Sequence, residues 1–286
     1  MKETEFELLA KEPGYEALAL LISSWDKVAE KIANGARLIT LPNCYFSIED
    51  GYEVKPIIDS LTDFLQKKNL LFFEGPVPSY IFYFDYSLPD DPDFVSLRNL
   101  SLVINNDLCK FGHAFSGVIA VDISPWVERN ATSERKFRQF VSYMSGLDDC
   151  TLAVYIDQER NETKTKMAYK ALLKETRLNY YRIQVKTPLM ALKIFNRKIE
   201  ELGFTLSEEA KNALLKIMET IIALPYSEGP LTITQMAEDV VYDLYKADKP
   251  LMNTIDIDSI QAYLPNGSWL KEFAINKGRS IGLIGD

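Results

Sequence analysis

The sequence predicts an α/β domain with a mainly parallel five-strand sheet, followed by an all-helical domain. Three observations predict it. As far as about residue 187, segments of helical periodicity alternate with short apolar or β-branched runs, the order of a sheet with helices on both faces. One of those runs, SGVIAVDIS, is apolar almost throughout and bounded by turn residues, as a central strand covered on both sides must be. Beyond Pro188 the strand-like runs stop and four helical patterns follow one another. A chain of 286 residues is long enough to bury two cores.

Taken in order, the opening helix is expected over roughly 15 to 34, with Asn34-Gly35 as its stop. ARLITLP then reads as the first strand and NCYFSIEDG as a loop. EVKPIIDSLTDFLQKKN places Ile57, Ile58, Leu61, Phe64 and Leu65 at helical spacing, with Pro56 in the first turn, where its missing N–H costs nothing. LLFFEG and SYIFYFDYS read as strands, and Phe94, Leu97, Leu100, Val103 and Ile104 as a helix over 92–106. After SGVIAVDIS come a helix near 133–145, the strand CTLAVYID, a basic helix near 162–176 and the strand YYRIQV.

The later helices are expected near 188–202, 207–222, 232–247 and 256–263. Gly203 ends the first, Ser207 with Glu208 and Glu209 opens the second, and Asp256 caps the last. The division this implies is 1–187, 188–265 and a tail, 266–286, without firm secondary structure.

Charge narrows the function classes. The net charge of −9 argues against a general nucleic-acid coat, because phosphates need a positive surface. The charge is uneven, however: from Arg160 to Lys198 eleven basic residues face two acids, Glu162 and Glu175. Such a segment is either a solvated face or the contact for an acidic or phosphate-bearing partner. No stretch approaches the roughly 18 apolar residues that span a bilayer, and the N-terminus lacks a signal-peptide pattern. Three widely spaced cysteines, Cys44, Cys109 and Cys150, suit a reducing compartment. A cytoplasmic protein without a membrane segment is the expectation.

Chemistry-bearing motifs are sparse. His113 follows Cys109 at four residues, a spacing that could share a metal on a helix, but no local set completes the ligands, and a packed or surface histidine is the expected reading. No G-x-S-x-G elbow or cysteine-protease signature occurs. The aromatic run FFEGPVPSYIFYFDYS contains Glu74 and Asp85 and no basic residue, so it reads as strand packing rather than a base-stacking platform. Asp122 and Asp157 fall at the ends of two strands, the edge where α/β sites gather. They leave open a divalent-cation enzyme or a pair of turn and cap residues. No cofactor or metal is expected.

Several segments carry a resemblance to AAA+ ATPases over roughly residues 20 to 265. MALKIFNRKIEELGFTLSEEAKNALLKIM resembles the start of the lid in the red-type Rubisco activase and spore-protein group, with a helix, a glycine-centred turn and an "-LSEEA-" helix. LLKETRLNYYRIQVKTPLM is similar to that group's "-L-SRF---I-FP-Y-" segment. The resemblance implies a P-loop-NTPase-like sheet with a helical lid. It also implies protein partners, either an active AAA+ ATPase or further copies of the chain.

Set beside that resemblance, the nucleotide chemistry is absent. An ATPase needs a Gly-rich loop after its first strand, then Lys for phosphate charge and Ser or Thr for magnesium. The chain contains no G-x-x-x-x-G-K-[ST], and Glu49, Asp50 and Glu53 stand where phosphates would lie. At the second acidic motif, GVIAVDISPW offers Asp122 alone, with Ile123 at the position of the catalytic glutamate. The polar sensor falls near Asp157 or Gln158, and EGPLTITQMAEDVV holds no lid arginine.

Arg177 in KETRLNYY matches the arginine of the SRF segment. The resemblance implies an arginine finger, donated to a neighbour's nucleotide; the alternative is a surface ion pair. The expectation is therefore a degenerate AAA+ homologue serving as scaffold, adaptor or inactive ring partner. A clamp-loader-like subunit is the alternative within the fold, although the twenty or so residues after Leu264 are too few for its third domain.

Overall fold

The computed structural model describes residues 3–37, 41–49, 51–71, 79–83, 117–132, 134–145, 151–158, 161–224, 227, 229–247 and 252–280. The helix expected over 92–106, Cys109, His113, Cys150 and most of LLFFEG lie outside them. The chain divides into two compact units, one of residues 1–49 and 53–183, the other of 50–52 and 184–286.

In the first unit, α1 (Glu5–Leu9) and α2 (Glu16–Ala33) precede β1 (Asn43–Ile48), α3 (Val54–Lys67) and β2 (Ser79–Tyr83). β3 (Gly117–Asp122), α4 (Ser124–Glu128), α5 (Arg135–Ser145), β4 (Thr151–Gln158), α6 (Glu162–Leu172) and β5 (Leu178–Ile183) complete it. The five strands are all parallel in the order β2-β3-β4-β1-β5. This is the fold class expected from the alternation of elements.

One strand was placed wrongly from sequence. NCYFSI, expected in a loop, is β1, and the described flanks of ARLITLP are not strand. The reason is burial: Cys44, Tyr45, Phe46 and Ile48 are at most 1% exposed, because β1 lies between β4 and β5 with both faces covered. A strand buried on both sides shows no alternation, and the polar Asn43 and Ser47 at its ends disguised it. Asn43 is used by the sheet: its side chain accepts from the Ala153 N–H at 3.0 Å and donates to Thr176 Oγ1 at 2.9 Å.

Tyr45, Ile119, Val121, Ala153 and Tyr155 share one face of the sheet and form a core with Trp126 of α4, Phe137 and Phe140 of α5, and Ala168 and Leu172 of α6. α2 lies against β5, and α3 against β2 and β3. Lys68, just past α3, draws α1 and α2 together: its ammonium is 2.7 Å from Asp26 and 3.1 Å from Glu7, with the Phe64 ring 5.2 Å below. Thr4 and Glu7 form a capping box at the start of α1.

Burial opposes the charge on Lys68, yet the hydrogen bonds to Asp26 and Glu7 prevail and raise its pKa. On Glu7 burial likewise opposes ionisation, but bonds from the Thr4 backbone and Lys68 prevail and lower its pKa. The Glu7 contribution to stability is thus present above the ordinary carboxylate range and lost as pH falls through its depressed value. That of Lys68 is present below the ordinary lysine range and lost as pH rises through its raised value. Lys68→Met should cost about 1–3 kcal/mol at neutral pH and flatten both arms of a urea-melt pH profile. An unchanged midpoint would refute the role given to this triad.

The second unit holds α7 (Pro188–Glu201), α8 (Glu208–Ala223), α9 (Pro230–Lys246), a 3-10 turn at Asp258–Tyr263 and α10 (Trp269–Ser280). A short parallel pair, β6 (Thr205–Leu206) and β7 (Thr254–Ile255), ties the turn after α7 to the segment after α9. Thr187 and Ser207 cap α7 and α8 through their hydroxyls. The segment expected as a helix near 256–263 is the 3-10 turn. The tail contributes α10, whose Trp269 and Phe273 rings stack at 5.0 Å and join the helical core.

Candidate functional site

In a parallel α/β sheet chemistry gathers at the carboxyl ends of the strands. Here that edge is formed by the loop after Ile48, by Asp122 closing β3 and by Asp157 and Gln158 closing β4. Parity decides how the two aspartates are used. In the register Asp122 lies opposite Ile156, so Asp157, one residue on, points to the other face of the sheet. They do not form an acid pair, and the divalent-cation reading of Asp122 with Asp157 fails on this geometry. Among the described residues no group of three or more His, Cys, Asp or Glu side chains converges to hold a metal ion.

Each aspartate has structural partners instead. The Asp122 carboxylate accepts from the Ser124 backbone N–H at 2.9 Å and from its hydroxyl at 2.5 Å. The Ser124 oxygen in turn accepts the Gln158 N–H at 2.8 Å, joining the ends of β3 and β4. Asp157 is 1% exposed, and one of its oxygens accepts from both the Tyr45 and the Thr165 hydroxyls at 2.7 Å. It thereby joins β1, β4 and α6. Ile123, at the place of the expected catalytic glutamate, is wholly buried in the core with Trp126 and Phe137.

The loop after β1 is equally committed. Gly51 has φ +96°, and a Cβ there would fall 2.7 Å from the Leu231 nitrogen at the start of α9, so only glycine fits. Tyr52 packs against the helical core. Glu49 and Glu53 flank these two residues, and no lysine or serine of a phosphate loop accompanies them. Among the described residues this loop does not fit a magnesium-bound nucleotide: Glu49 and Glu53 bring negative charge to it, and Gly51 is spent on packing against Leu231 rather than on cradling phosphate.

A cleft of about 460 Å³ opens beside this edge, between the end of α4 and the start of α6. Arg129 and Lys164 line it together with Asp157, Gln158 and Asn161. Lys164 donates to the Glu128 carbonyl, and Asn161 caps α6 by accepting from the Lys164 N–H at 3.1 Å. The lining has both signs of charge and no serine, threonine or cysteine. Cys44 is inert by position, since complete burial pushes its thiol far above the ordinary range.

Arg177 lies elsewhere. It follows α6 and immediately precedes β5, so it stands at the amino edge of the sheet, six residues of strand from the carboxyl edge. At about 3.3 Å per residue that is roughly 20 Å, beyond the reach of its side chain. Its carbonyl accepts the Asn43 N–H at 3.0 Å, which fixes the backbone. Its side chain is exposed and has no ion-pair partner among the described residues.

The strand order and the helical second unit define the AAA+ class of P-loop-NTPase-like folds. Point variants of Thermotoga maritima RuvB match at TM-scores of 0.54 and 0.53, with 10% and 9% identity, over 91% of this chain and 70% and 71% of theirs. The structure described as the Thermotoga maritima RuvB Holliday junction branch migration motor matches at 0.51 and 10% identity, over 84% of this chain and 66% of that one. No protein-family model matches the chain. No curated protein matches it either. At such identities the likeness establishes the fold, and function has to be argued from the residues.

No described helix is long and apolar enough to cross a membrane. Sequence reasoning missed α4 and with it the Ser124 bridge. The pattern Asp-x-Ser before a proline was the available signal, since Asp side chains commonly accept from the N–H two residues on.

Proposed function

We propose that this chain is a catalytically inactive AAA+ homologue that works by association, as a scaffold, adaptor or non-hydrolysing ring partner of an active AAA+ ATPase, to which it lends Arg177 in trans. The observation that carries the reading is the placement of Arg177: exposed, without an ion-pair partner among the described residues, backbone-anchored and on the sheet edge away from its own subunit's carboxyl-end loops. An arginine so placed serves a neighbour. The guanidinium suits that task because it stays charged and presents a planar fork to phosphate oxygens.

The loss of nucleotide chemistry supports the same reading. Among the described residues, a loop with Glu49, Gly51 and Glu53, an Asp122 tied to Ser124, and Ile123 in the core offer none of the phosphate-binding or water-activating side chains that the resemblance calls for. Calorimetric titration of the purified chain with magnesium-ATP is expected to show no heat of binding in the micromolar range. Micromolar affinity, or phosphate release by the chain alone, would overturn the proposal.

A further inference from the structure

The cleft between the end of α4 and the start of α6 takes no part in the proposed function. Its volume of about 460 Å³ lies within the roughly 300–1,000 Å³ of small-molecule sites. It is also separate from the place a nucleotide would take, which is built on the loop after β1 and on Asp122. Asp157, the most buried group of the cleft, takes the α6 face of the sheet, and Asp122 takes the other.

Three side chains of the lining keep hydrogen-bonding capacity that the fold does not use. The Gln158 side-chain amide makes no hydrogen bond among the described residues; its backbone N–H alone is engaged, donating to Ser124 Oγ at 2.8 Å. Asn161 uses its oxygen to accept the Lys164 N–H at 3.1 Å, and its amide N–H donors have no partner among the described residues. Lys164 gives one of its three donors to the Glu128 carbonyl and meets no carboxylate among the described residues. That bond holds the ammonium at the end of α4, so a ligand need not order it on binding.

The charges of the lining decide what fits. Glu128 and Asp157 are acidic, Arg129 and Lys164 are basic, and Val127 is the one apolar side chain among the described lining residues. A phosphate or a simple carboxylate meets both acids as like charges, and a simple ammonium meets both bases. A ligand with one charge of each sign finds an opposite charge for both ends. The amides of Gln158 and Asn161 suit polar atoms beside those ends, whereas an apolar body would find little to cover it.

We infer that this cleft binds a small polar zwitterion of amino-acid size, its carboxylate held by Lys164 and the Asn161 amide, its ammonium turned toward Asp157 and its polar side chain bonded by Gln158. The whole cleft lies in the first unit. The inference depends neither on Arg177 nor on nucleotide chemistry.

Amide-proton NMR titration of the full chain tests it. L-Serine, L-asparagine, L-glutamine and L-lysine are added one at a time, with sodium acetate and methylammonium chloride as single-charge probes. At least one amino acid should shift the amide signals of residues 158 and 161–164 saturably. Its dissociation constant should lie below about 5 mM and be at least about tenfold tighter than that of either single-charge probe. Lys164→Met should weaken binding about tenfold and Gln158→Ala about threefold, the difference reflecting a charged against a neutral hydrogen bond. The Gln158 side chain makes no bond within the fold, so Gln158→Ala remains a test even where Lys164→Met unfolds. Lys170→Met, on the same helix but outside the lining, should bind as wild type does.

No saturable binding by any of the four amino acids, a single-charge probe that binds as tightly, or affinity unaltered in Gln158→Ala and Lys164→Met would each overturn the inference. Magnesium-ATP takes no part in these titrations, so the proposed function is tested separately.

Discussion

Added to an active AAA+ ATPase that it assembles with, the wild-type chain should raise turnover, and Arg177→Ala should remove roughly a thousandfold of that acceleration. The size follows from the chemistry of phosphoryl transfer. Charge spreads over the equatorial oxygens of the transferring group, and a guanidinium brought from a neighbour stabilises it without having to be reorganised. The loss should fall on kcat, because the contact strengthens as charge develops. Arg177→Lys should recover little, since an ammonium lacks the planar fork. The folded chain should tolerate both changes, as the side chain is exposed and its backbone bond to Asn43 does not involve it. Equal stimulation by wild type and Arg177→Ala would remove the finger from the proposal. Co-sedimentation of the mutant with the ATPase separates lost catalysis from lost assembly.

Asp157→Ala should strongly destabilise the first unit, at about 2–4 kcal/mol. Asp157 is the shared acceptor of the Tyr45 and Thr165 hydroxyls, both at 2.7 Å, within a sheet that excludes water. Alanine removes that acceptor from two hydroxyls at once, and each poorly satisfied group costs about 1–3 kcal/mol. Asp157→Asn keeps an acceptor oxygen and should cost less. Tyr45→Phe and Thr165→Val, which remove the donors, should each cost only about 1 kcal/mol. Thermal unfolding followed in the aromatic region reads all four. A neutral Asp157→Ala would mean that the network does not hold α6 to the sheet.

These two residues show how far the sequence reaches. The position of Arg177 between a basic helix and a strand was legible because it is a local property. Asp157 was legible as the end of a strand and illegible as a hub. Its partner Tyr45 lies 112 residues away on a strand that the sequence reading placed in a loop. The same displacement put the start of the loop after the first strand several residues too early. Ser124 was overlooked for a related reason: its hydroxyl takes its meaning from Gln158, 34 residues on.

By itself the sequence determined the alternation of strands and helices, the turn to helices after Pro188, the uneven charge and the lack of a G-x-x-x-x-G-K-[ST] loop. These are written in local spacing and composition, which need no partner to be read. The tertiary structure alone decided which face each aspartate takes, that Ile123 is buried, that Gly51 is held against α9, and that Arg177 stands on the far edge of the sheet. Those follow from strand register and long-range packing, where a shift of one residue reverses the direction of a side chain.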